Sequence, residues 1–398
     1  MDQMTDDFIA LLEGNQGLPG RYFTDEAILQ VERQKIFADS WMCIGLSADA
    51  PSKGDLVPMT VLGYPVLIAR DGLMLRAFHN VCSHRGSTLL GEPTHGRRRI
   101  VCPYHSWTYK LDGDLVATPH AGGADTHVCE QFIEKRLSLR SVRAAEWAGH
   151  IFVNFSGTAP AFTDWIRPVA ERFINIEWPD LRRDAACALN LEVAANWKII
   201  VENCVESYHL PWVHRALNAV NPMRQHYQIL GGHSYLGQGG TAYQAERISG
   251  AVLPRLKGIL DYSRYEALAV LPNLILGPLP DMAFSIVILP EAAERTRERV
   301  EFFFGGDEAL LERFASARRS GANFVASVNT EDVKIVEAVQ RGRHSPAFNG
   351  GQLSQTQEAT SLQFQKIVAA QIWAGKVKKR PEDIVTLAVR DIRHPAAA

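Results

Sequence analysis

The sequence predicts an α+β protein in which a small all-β domain precedes a larger domain of mixed helices and strands. Short apolar runs that alternate with polar residues and end in glycine turns fill residues 45–155. Helical periodicity follows in four segments, at 162–175, 196–217, 307–319 and 321–341. Segments 269–291 and 297–304 read as strands of the same second domain.

Length and composition agree with more than one domain. The 398 residues exceed the roughly 100–200 typical of one domain. With 46% hydrophobic and 22% charged residues and a net charge of -2, nothing favours binding to nucleic acid or to a membrane surface. The acidic N-terminus lacks a signal-peptide pattern, and no apolar run approaches the roughly 20 residues that span a bilayer. We therefore expect a cytoplasmic protein that binds neither nucleic acid nor membrane.

The first element is a predicted helical arm within residues 1–44, which we expect to pack on the larger domain. Thr24 can cap a helix from about Asp25 to Ala38, since threonine is a common N-cap residue. Asp25 and Glu26 lie in the first turn, where acidic side chains stabilise a helix. Ile28 and Phe37 give that helix apolar faces.

The all-β domain follows at residues 45–155. Its apolar runs LVPMTVLG, YPVLIAR and LMLRAFHNV are separated by glycine turns. Asp71-Gly72 is the strongest short hairpin signal in the chain, since this dipeptide favours the tight turns of hairpins.

The second domain is expected at residues 156–398. Its most apolar segment, LAVLPNLILGPLPDMAFSIVILP, contains prolines that favour bent strands over one long helix. No G-x-G-x-x-G follows a predicted strand, so a built-in flavin or nicotinamide domain is not expected.

Two cysteine–histidine pairs lie on loops of the all-β domain. One residue separates Cys82 from His84, and two residues separate Cys102 from His105. Thiolate and imidazole are both good ligands for first-row metals, so the two pairs can converge on one metal centre. Because six cysteines in such a chain do not suggest a disulfide framework, these thiols are ligand candidates. A structural zinc ion is the alternative to an iron–sulfur cluster.

The segments CSHRG and CPYHSWTYKLDG resemble the Rieske family. In those proteins two cysteines hold one iron of a 2Fe-2S cluster and two histidines hold the other. The resemblance implies that Cys82, His84, Cys102 and His105 bind such a cluster.

A second group of potential ligands lies in NWKIIVENCVESYHLPWVH, residues 196–214. Glu206 and His209 are three residues apart and would share one helix face. His209 and His214 are five apart, a rotation of roughly 140° on a regular helix. We expect Pro211 to break the helix between the histidines and return His214 to the same centre.

Two imidazoles and one carboxylate on one face of Fe(II) are the arrangement that binds O2. Glu206 and Asp332 are the candidates for the carboxylate. A carboxylate on an apolar helix stripe is costly unless it is paired or ligated, which favours Asp332. Glu331 lies about 100° away and is expected to be solvated. The predicted stripe consists of Val325, Val328, Asp332, Ile335, Val336 and Val339.

The chain from RYFTDE to EDVKIVEAVQRG resembles the oxygenase component, or α subunit, of Rieske non-heme iron oxygenases. The resemblance implies a Rieske 2Fe-2S domain followed by a helix-grip catalytic domain with an antiparallel sheet. It implies that His209, His214 and Asp332 bind a mononuclear Fe(II). It further implies that Glu206 bridges His209 to His105 of the neighbouring subunit in a head-to-tail homotrimer.

The same resemblance implies O2 as cosubstrate and electrons from NADH or NADPH through a separate flavin and iron–sulfur reductase. Glu206, where most members carry aspartate, and the segment EDVKIVEAVQRG are similar to the carnitine-type, glutamate-bridged subgroup. The expected reaction is hydroxylation, or oxidative demethylation or cleavage, of a small quaternary ammonium or related amine.

Two interpretations of the substrate, and one in which the protein is not an enzyme, stay open. An aromatic box could bind a quaternary ammonium by cation–π attraction. An aromatic acid is the alternative, with Arg224, Arg247 or Arg264 as the partner of its carboxylate. A more remote alternative is a non-catalytic, zinc-containing ligand-binding module. The candidates for the box are Tyr208, Trp212, Tyr227, Tyr235, Tyr243, Tyr262 and Tyr265.

Overall fold

The computed structural model describes residues 14–135 and 137–373. Part of the predicted arm, residues 1–13, and the C-terminal residues 374–398 lie outside the described residues. The described chain forms two compact units. Ala38–Phe162 is one, and the segment that ends at Phe37 joins the segment from Thr163 onward in the other.

The regular structure of the Ala38–Phe162 unit consists mainly of antiparallel strands. Six of them form one sheet in the order β1-β9-β8-β4-β3-β2, and β5-β6-β7 form a second, three-stranded sheet. The predicted hairpin at Asp71-Gly72 is present, with Asp71 opposite Met74 and Gly72 at φ 65°. The strands are β1 (Met42–Leu46), β2 (Leu56–Val61), β3 (Tyr64–Asp71), β4 (Met74–His79), β5 (Ile100–Val101), β6 (Thr108–Tyr109), β7 (Leu115–Ala117), β8 (Ser141–Trp147) and β9 (His150–Asn154), with one helix at Glu130–Glu134.

The pairing of β1 with β9 explains where this unit begins and ends. Met42 lies opposite Val153, so the sheet includes residues that precede the predicted start at 45. Within the unit a buried core that includes Phe78, Trp107 and Tyr109 surrounds Cys82 and Cys102. The two cysteines therefore lie inside apolar packing.

The larger unit contains an eight-stranded antiparallel sheet in the order β10-β17-β16-β15-β14-β13-β12, with β11 also paired to β17. The predicted bent strands in 269–291 are present, separated by turns. The strands are β10 (Leu181–Arg183), β11 (Leu189–Val193), β12 (His226–Gly231), β13 (Tyr235–Gly240), β14 (Tyr265–Val270), β15 (Leu274–Pro278), β16 (Ala283–Ala292) and β17 (Arg295–Gly305).

Helices pack on this sheet, and the 29-residue helix Ala315–Arg343, called the long helix below, is the principal one. It contacts β17 and the helices Trp197–Cys204 and Ala245–Ser249. The predicted α+β class is confirmed. The α-helices of this unit are Arg21–Thr24, Glu26–Glu32, Phe162–Arg172 where the two units join, Trp197–Cys204, Leu210–Val213, Arg215–Val220, Ala245–Ser249, Gly306–Ala309, Ala315–Arg343 and Ala359–Ile372.

The long helix corrects the predicted division into 307–319 and 321–341. It begins at Ala315 and runs unbroken through Gly321. This glycine permits a close approach to the neighbouring helix, because a Cβ there would lie 2.9 Å from Oγ of Ser249. The rest of the first predicted segment forms the short helix Gly306–Ala309 and a 3-10 turn at Glu312–Phe314.

Two further details of the predicted helices are wrong. The cap of the first helix is Asp25, whose side chain accepts from the amide of Ala27. Thr24 instead closes the preceding turn, donating to the carbonyl of Gly20. Residues Arg33–Ala38 continue as a π-helix.

None of the helices in the described ranges has both the length and the apolar character needed to cross a membrane.

Two candidate metal sites and a cavity

The two cysteine–histidine loops of the β unit have the same backbone design. In the first, the amide of Cys82 donates to the carbonyl of Ser87, and the amide of Gly86 donates back to Cys82. In the second, Cys102 and Trp107 are joined in the same way, and Ser106 donates back to Cys102.

In both loops the residue four positions after the cysteine has a left-handed backbone. These residues are Gly86, at φ 75°, and Ser106, at φ 56°. Glycine adopts this conformation freely, whereas serine does so only when its surroundings hold it there. The loops therefore present their cysteines and histidines in matching frames despite the different spacing.

The thiols of Cys82 and Cys102 are each 2% exposed and lie in the apolar core. Burial raises the pKa of Cys82, and the neighbouring Cys102 thiol raises it further, while the Tyr109 hydroxyl opposes this. The Tyr109 hydroxyl lies 3.2 Å from the Cys82 sulfur. Metal ions bind thiolates, so a positive charge at this position would replace the protons that burial favours.

The imidazoles of His84 and His105 lie at the outer side of the same loops, with ring centroids 4.8 Å apart. His84 stacks on Trp107 at 4.5 Å, with 6° between the planes. Burial lowers the pKa of His84, which favours the neutral form that binds metals. Nδ1 of His105 is buried and has no hydrogen-bond partner, as expected of an atom that would bind a metal.

The sulfur atoms of Cys82 and Cys102 and the ring nitrogens of His84 and His105 do not gather closely around one point. Among the described residues, the ligand atoms of His209, His214 and Asp332 form the one group of three or more within 4.8 Å of one another. A single zinc ion would draw all four cysteine and histidine ligands closer than that. A two-iron cluster, with cysteines on one metal and histidines on the other, fits the more open set.

In the larger unit, the loop before His209 is held in place by hydrogen bonds and positions this first histidine of the second candidate metal site. The helix Trp197–Cys204 ends before Glu206, and Nε2 of Gln238 donates to the carbonyls of Cys204 and Glu206. His209 then precedes the short helix Leu210–Val213. The prediction that Glu206 and His209 share a helix face is therefore wrong, although the two side chains do meet.

Pro211 also acts differently from the prediction. It lies in the first turn of the helix Leu210–Val213. A proline fits there because the backbone N–H that it lacks would have no acceptor within the helix. The break that frees the histidines comes earlier, between Cys204 and His209. His214 caps the following helix with a non-helical backbone, φ -108° and ψ 66°, which returns its ring toward His209.

The three ligand atoms form a compact triangle. Nε2 of His209 and Nε2 of His214 are 3.1 Å apart. Oδ1 of Asp332 lies 2.8 Å from Nε2 of His214 and 3.5 Å from Nε2 of His209. Ligands at about 2.1 Å from one metal and at right angles would be about 3 Å apart, so the triangle fits one face of an octahedral ion.

A carboxylate holds the far side of each imidazole. Nδ1 of His209 lies 2.5 Å from Oε1 of Glu206, and Nδ1 of His214 lies 2.8 Å from Oε2 of Glu331. These contacts place the proton on Nδ1 and leave each Nε2 lone pair facing Asp332. Glu331 was predicted to be solvated; its side chain is 43% exposed, yet it contacts a candidate ligand.

The local charges match a cation site. Burial alone lowers the pKa of His209, but hydrogen bonds to Asp332 and Glu206 outweigh it and raise the pKa to about 9. Burial would raise the pKa of Asp332, yet its contacts with both histidines lower it. Without a metal the imidazoles attract protons to the point between them, which is where a metal ion would lie.

The long helix presents Asp332 to this triangle, though with a different inner face from the predicted stripe. Val325, Val328 and Asp332 face a cavity, and Val336 is buried. The other two members of the stripe are partly exposed, Ile335 at 39% and Val339 at 37%. The true inner face instead includes Asn329 and Gln340, both buried.

The cavity beside the triangle encloses about 140 Å³. Its wall is mainly apolar, with side chains such as Leu217, Phe284 and Phe324. Of the seven predicted aromatic-box residues, Tyr243 and Tyr265 line it, with ring centroids 5.9 Å apart. The remaining five do not line it: Tyr208, Trp212, Tyr227, Tyr235 and Tyr262.

Apart from Asp332 and the two candidate ligand histidines, the described part of the cavity wall has no side chain that is charged near neutral pH. The three arginines predicted as partners of an aromatic acid are not among its residues. Arg247 bonds to Gln244, and Arg264 lies near Asp261 and the Tyr227 ring. The wall thus offers no cationic partner for a substrate carboxylate.

Comparison with known families and structures agrees with this geometry. The model of the Rieske [2Fe-2S] domain matches residues 40–131, and that of the ring hydroxylating alpha subunit (catalytic domain) matches residues 180–374. Together the two matches cover more than two thirds of the chain and contain both candidate sites. The chain belongs to the Rieske non-heme iron oxygenases.

Its relatives include subunits of known multicomponent oxygenases. The carnitine monooxygenase oxygenase subunit of Acinetobacter baumannii is 28% identical over 88% of this chain and 91% of its own length. The glycine betaine monooxygenase oxygenase subunit of Chromohalobacter salexigens is 30% identical over 54% and 46%. The crystal structure of the quaternary ammonium Rieske monooxygenase CntA with an inhibitor aligns at a TM-score of 0.76 and 27% identity, covering 92% of this chain and 98% of that one.

As a Rieske oxygenase, this protein is a terminal oxygenase component with a 2Fe-2S cluster and a mononuclear iron. Its cosubstrate is O2, and its electrons come from NADH or NADPH through a reductase partner. The zinc-containing binding module proposed as a remote alternative is wrong.

Proposed function

We propose that this Rieske oxygenase oxidises a small quaternary ammonium compound or a related amine, by hydroxylation or by oxidative demethylation or cleavage. The observation that carries the proposal is the cavity beside His209, His214 and Asp332, whose described wall combines aromatic rings with neutral amides and has no arginine or lysine. A cation with methyl groups suits such a wall, since rings attract it and apolar side chains contact its methyls.

We assign the two metal sites by residue. Cys82 and Cys102 would hold one cluster iron and His84 and His105 the other, while His209, His214 and Asp332 would hold the mononuclear iron. When bound, that iron supplies O2 activation and the cluster supplies electrons one at a time. The matched loops, the unpartnered Nδ1 of His105 and the triangle of ligand atoms support this assignment.

Glu206 has a separate proposed role between the two sites. Its Oε1 accepts from Nδ1 of His209, and its Oε2 accepts from the amide of Tyr208. These contacts fix the carboxylate beside the ligand ring and orient that ring. We propose that Glu206 links His209 to His105 of a second copy of the chain, in a head-to-tail homotrimer.

The remaining cavity residues would contact the substrate and exclude water. The apolar side chains keep bulk water from the reaction, which limits loss of reactive species. Since the electron donors NADH and NADPH and the reductases that use them are found in the cytoplasm, we propose that location for this protein.

The aromatic acid alternative has weaker support. A carboxylate moved into an apolar wall needs a bidentate partner, and the wall has no arginine or lysine among the described residues. We therefore expect benzoate-type acids to bind more weakly than amines of similar size.

Product analysis tests the proposal. The purified protein would be incubated with NADH, a surrogate reductase and each member of a panel: choline, carnitine, glycine betaine, trimethylamine and benzoate-type acids. We expect oxygen-dependent loss of a quaternary ammonium compound or amine, with an oxidised product seen by mass spectrometry. Turnover of an aromatic acid with none of the amines consumed would contradict it, and His209→Ala is the inactive control.

A further inference from the structure

Buried carboxylates lie one layer behind two polar residues of the cavity wall. The first is Asp281, which is 1% exposed. The hydroxyl of Tyr243, a wall residue, donates to Oδ1 of Asp281 at 2.6 Å. The hydroxyl of Ser249 donates to the other oxygen at 3.3 Å. Asp281 therefore accepts from donors inside the protein, and its hydrogen bond with Tyr243 connects it to the cavity wall.

The second is Glu298 on β17, which is 2% exposed. Its Oε2 accepts from Nδ2 of Asn329 at 2.7 Å, and Asn329 lines the cavity. The carboxylate holds the nitrogen end of this amide, so Glu298 acts on the cavity through Asn329.

Apart from the proposed iron ligands, no described residue of the wall carries a positive charge near neutral pH. His226 lines the wall, but burial lowers its pKa, which favours the neutral ring. Burial raises the pKa of Asp281 above its ordinary value, although hydrogen bonds from Tyr243 and Ser249 and the charge of Arg255 oppose this rise. The guanidinium of Arg255 itself stacks on the Tyr262 ring, which is not part of the wall.

The two carboxylates contribute unequally. Burial raises the pKa of Glu298 to about 7, so it carries only part of a charge near neutral pH. Asp281 accepts bonds from two hydroxyls, which favour its ionised form against the burial that raises its pKa. A phenol that donates to a carboxylate also has a more electron-rich ring, which attracts cations more strongly.

We propose that Asp281, acting through Tyr243, and Glu298, acting through Asn329, make this cavity selective for a cation over a neutral molecule of the same shape. The inference rests on the proposed function and identifies specificity residues that do not touch the substrate. It explains how a cavity wall without a free carboxylate can favour a cation. In a medium of low dielectric constant a charge acts over more than one layer of side chains.

Choline and 3,3-dimethylbutan-1-ol test this inference. The two molecules have the same shape, and the second replaces the charged nitrogen by carbon. Calorimetric titration of the iron-loaded, anaerobic protein gives the dissociation constant of each. We expect wild type to bind choline more tightly than the alcohol. Asp281→Asn should weaken choline binding about tenfold and leave the alcohol nearly unchanged.

Glu298→Gln and Tyr243→Phe provide the same test if Asp281→Asn fails to fold, with a smaller loss expected for Glu298→Gln. The matched control is Tyr227→Phe, because the Tyr227 hydroxyl also donates to a carboxylate, that of Glu266, but Tyr227 is not part of the cavity wall. This control should keep the choline preference of wild type.

The outcomes separate this inference from the proposed function. If wild type prefers choline and the folded variants keep the same preference, or lose both ligands equally, the inference is wrong and the proposed function stands. If wild type binds the two molecules equally, the inference is wrong as well. Turnover of aromatic acids alone in the product panel would contradict the proposed function.

Discussion

Nδ1 of His214 lies 2.8 Å from Oε2 of Glu331, the residue that directly precedes Asp332 on the long helix. Two adjacent residues of one helix therefore contact the same imidazole from opposite sides, Glu331 at Nδ1 and Asp332 at Nε2. His214 is 1% exposed, so its ring is enclosed by protein. The long helix thus supplies both a proposed ligand and the residue that aims its neighbour.

Glu331→Gln should weaken iron binding without removing a proposed ligand. The amide cannot replace a carboxylate as acceptor for the Nδ1 proton with equal strength, and loss of such partners lowers metal affinity about 10–100-fold. Competition for Fe(II) with a chelator, followed by iron analysis, measures the change. Glu337→Gln is the control on the same helix, since Glu337 accepts from the backbone of Ala194. Equal iron affinity in both variants would contradict the role.

Glu206→Gln should leave both metals bound but block electron arrival at the mononuclear site. The amide can still contact His209, but it lacks the charge and the proton affinity of the carboxylate. After reduction of the cluster, single-turnover product formation is expected to fall to near background. Glu206→Asp is the comparison, because it keeps the carboxylate with a shorter reach. A wild-type rate in Glu206→Gln would refute the bridge.

Tyr109→Phe should lower the reduction potential of the cluster. The Tyr109 hydroxyl lies 3.2 Å from the sulfur of Cys82, and hydrogen bonds to ligand sulfurs stabilise the reduced cluster. We expect a decrease on the order of tens of millivolts in a redox titration followed by electron paramagnetic resonance. Tyr104→Phe is the control, since its hydroxyl receives a bond from exposed Arg85. An unchanged potential in Tyr109→Phe would exclude this contribution.

Glu32→Gln should destabilise the larger unit. Oε1 of Glu32 accepts from Nζ of Lys198 at 2.6 Å and its Oε2 accepts from Nε1 of Trp197, and both charged side chains are fully buried. Breaking a buried pair leaves an uncompensated charge and costs about 3–5 kcal/mol. Urea unfolding measures the free energy of unfolding. Asp114→Asn, in an exposed pair with Lys110, should leave it unchanged.

The metal-site candidates could be predicted because their chemistry is carried by residue type and short spacing. Cys82 and His84 lie in one loop and Cys102 and His105 in another, so local sequence brings each pair together. His209 and His214 were also identified, although the mechanism assigned to Pro211 was wrong. A proline fits the first turn of a helix as well as it ends one, and the sequence did not distinguish the two.

The carboxylates that lie behind the cavity wall and behind the proposed ligands could not be predicted, because their positions depend on tertiary packing. Asp281 follows Tyr243 by 38 residues, and only the sheet and the Ala245–Ser249 helix bring them together. Glu331 was assigned to solvent from its helical angle, but its long side chain reaches His214 while remaining partly exposed. Ile335 and Val339 were assigned to the core from their apolar character, and nothing local indicates that they are partly exposed.

Iron content per chain tests the central claim most directly, that His209, His214 and Asp332 hold one iron apart from the cluster. Wild type should contain the two cluster irons and one further iron. Asp332→Ala and His209→Ala should each lose only the further iron and all turnover, while the Rieske electron paramagnetic resonance signal stays intact. Full iron content with product formation in either variant would contradict the account.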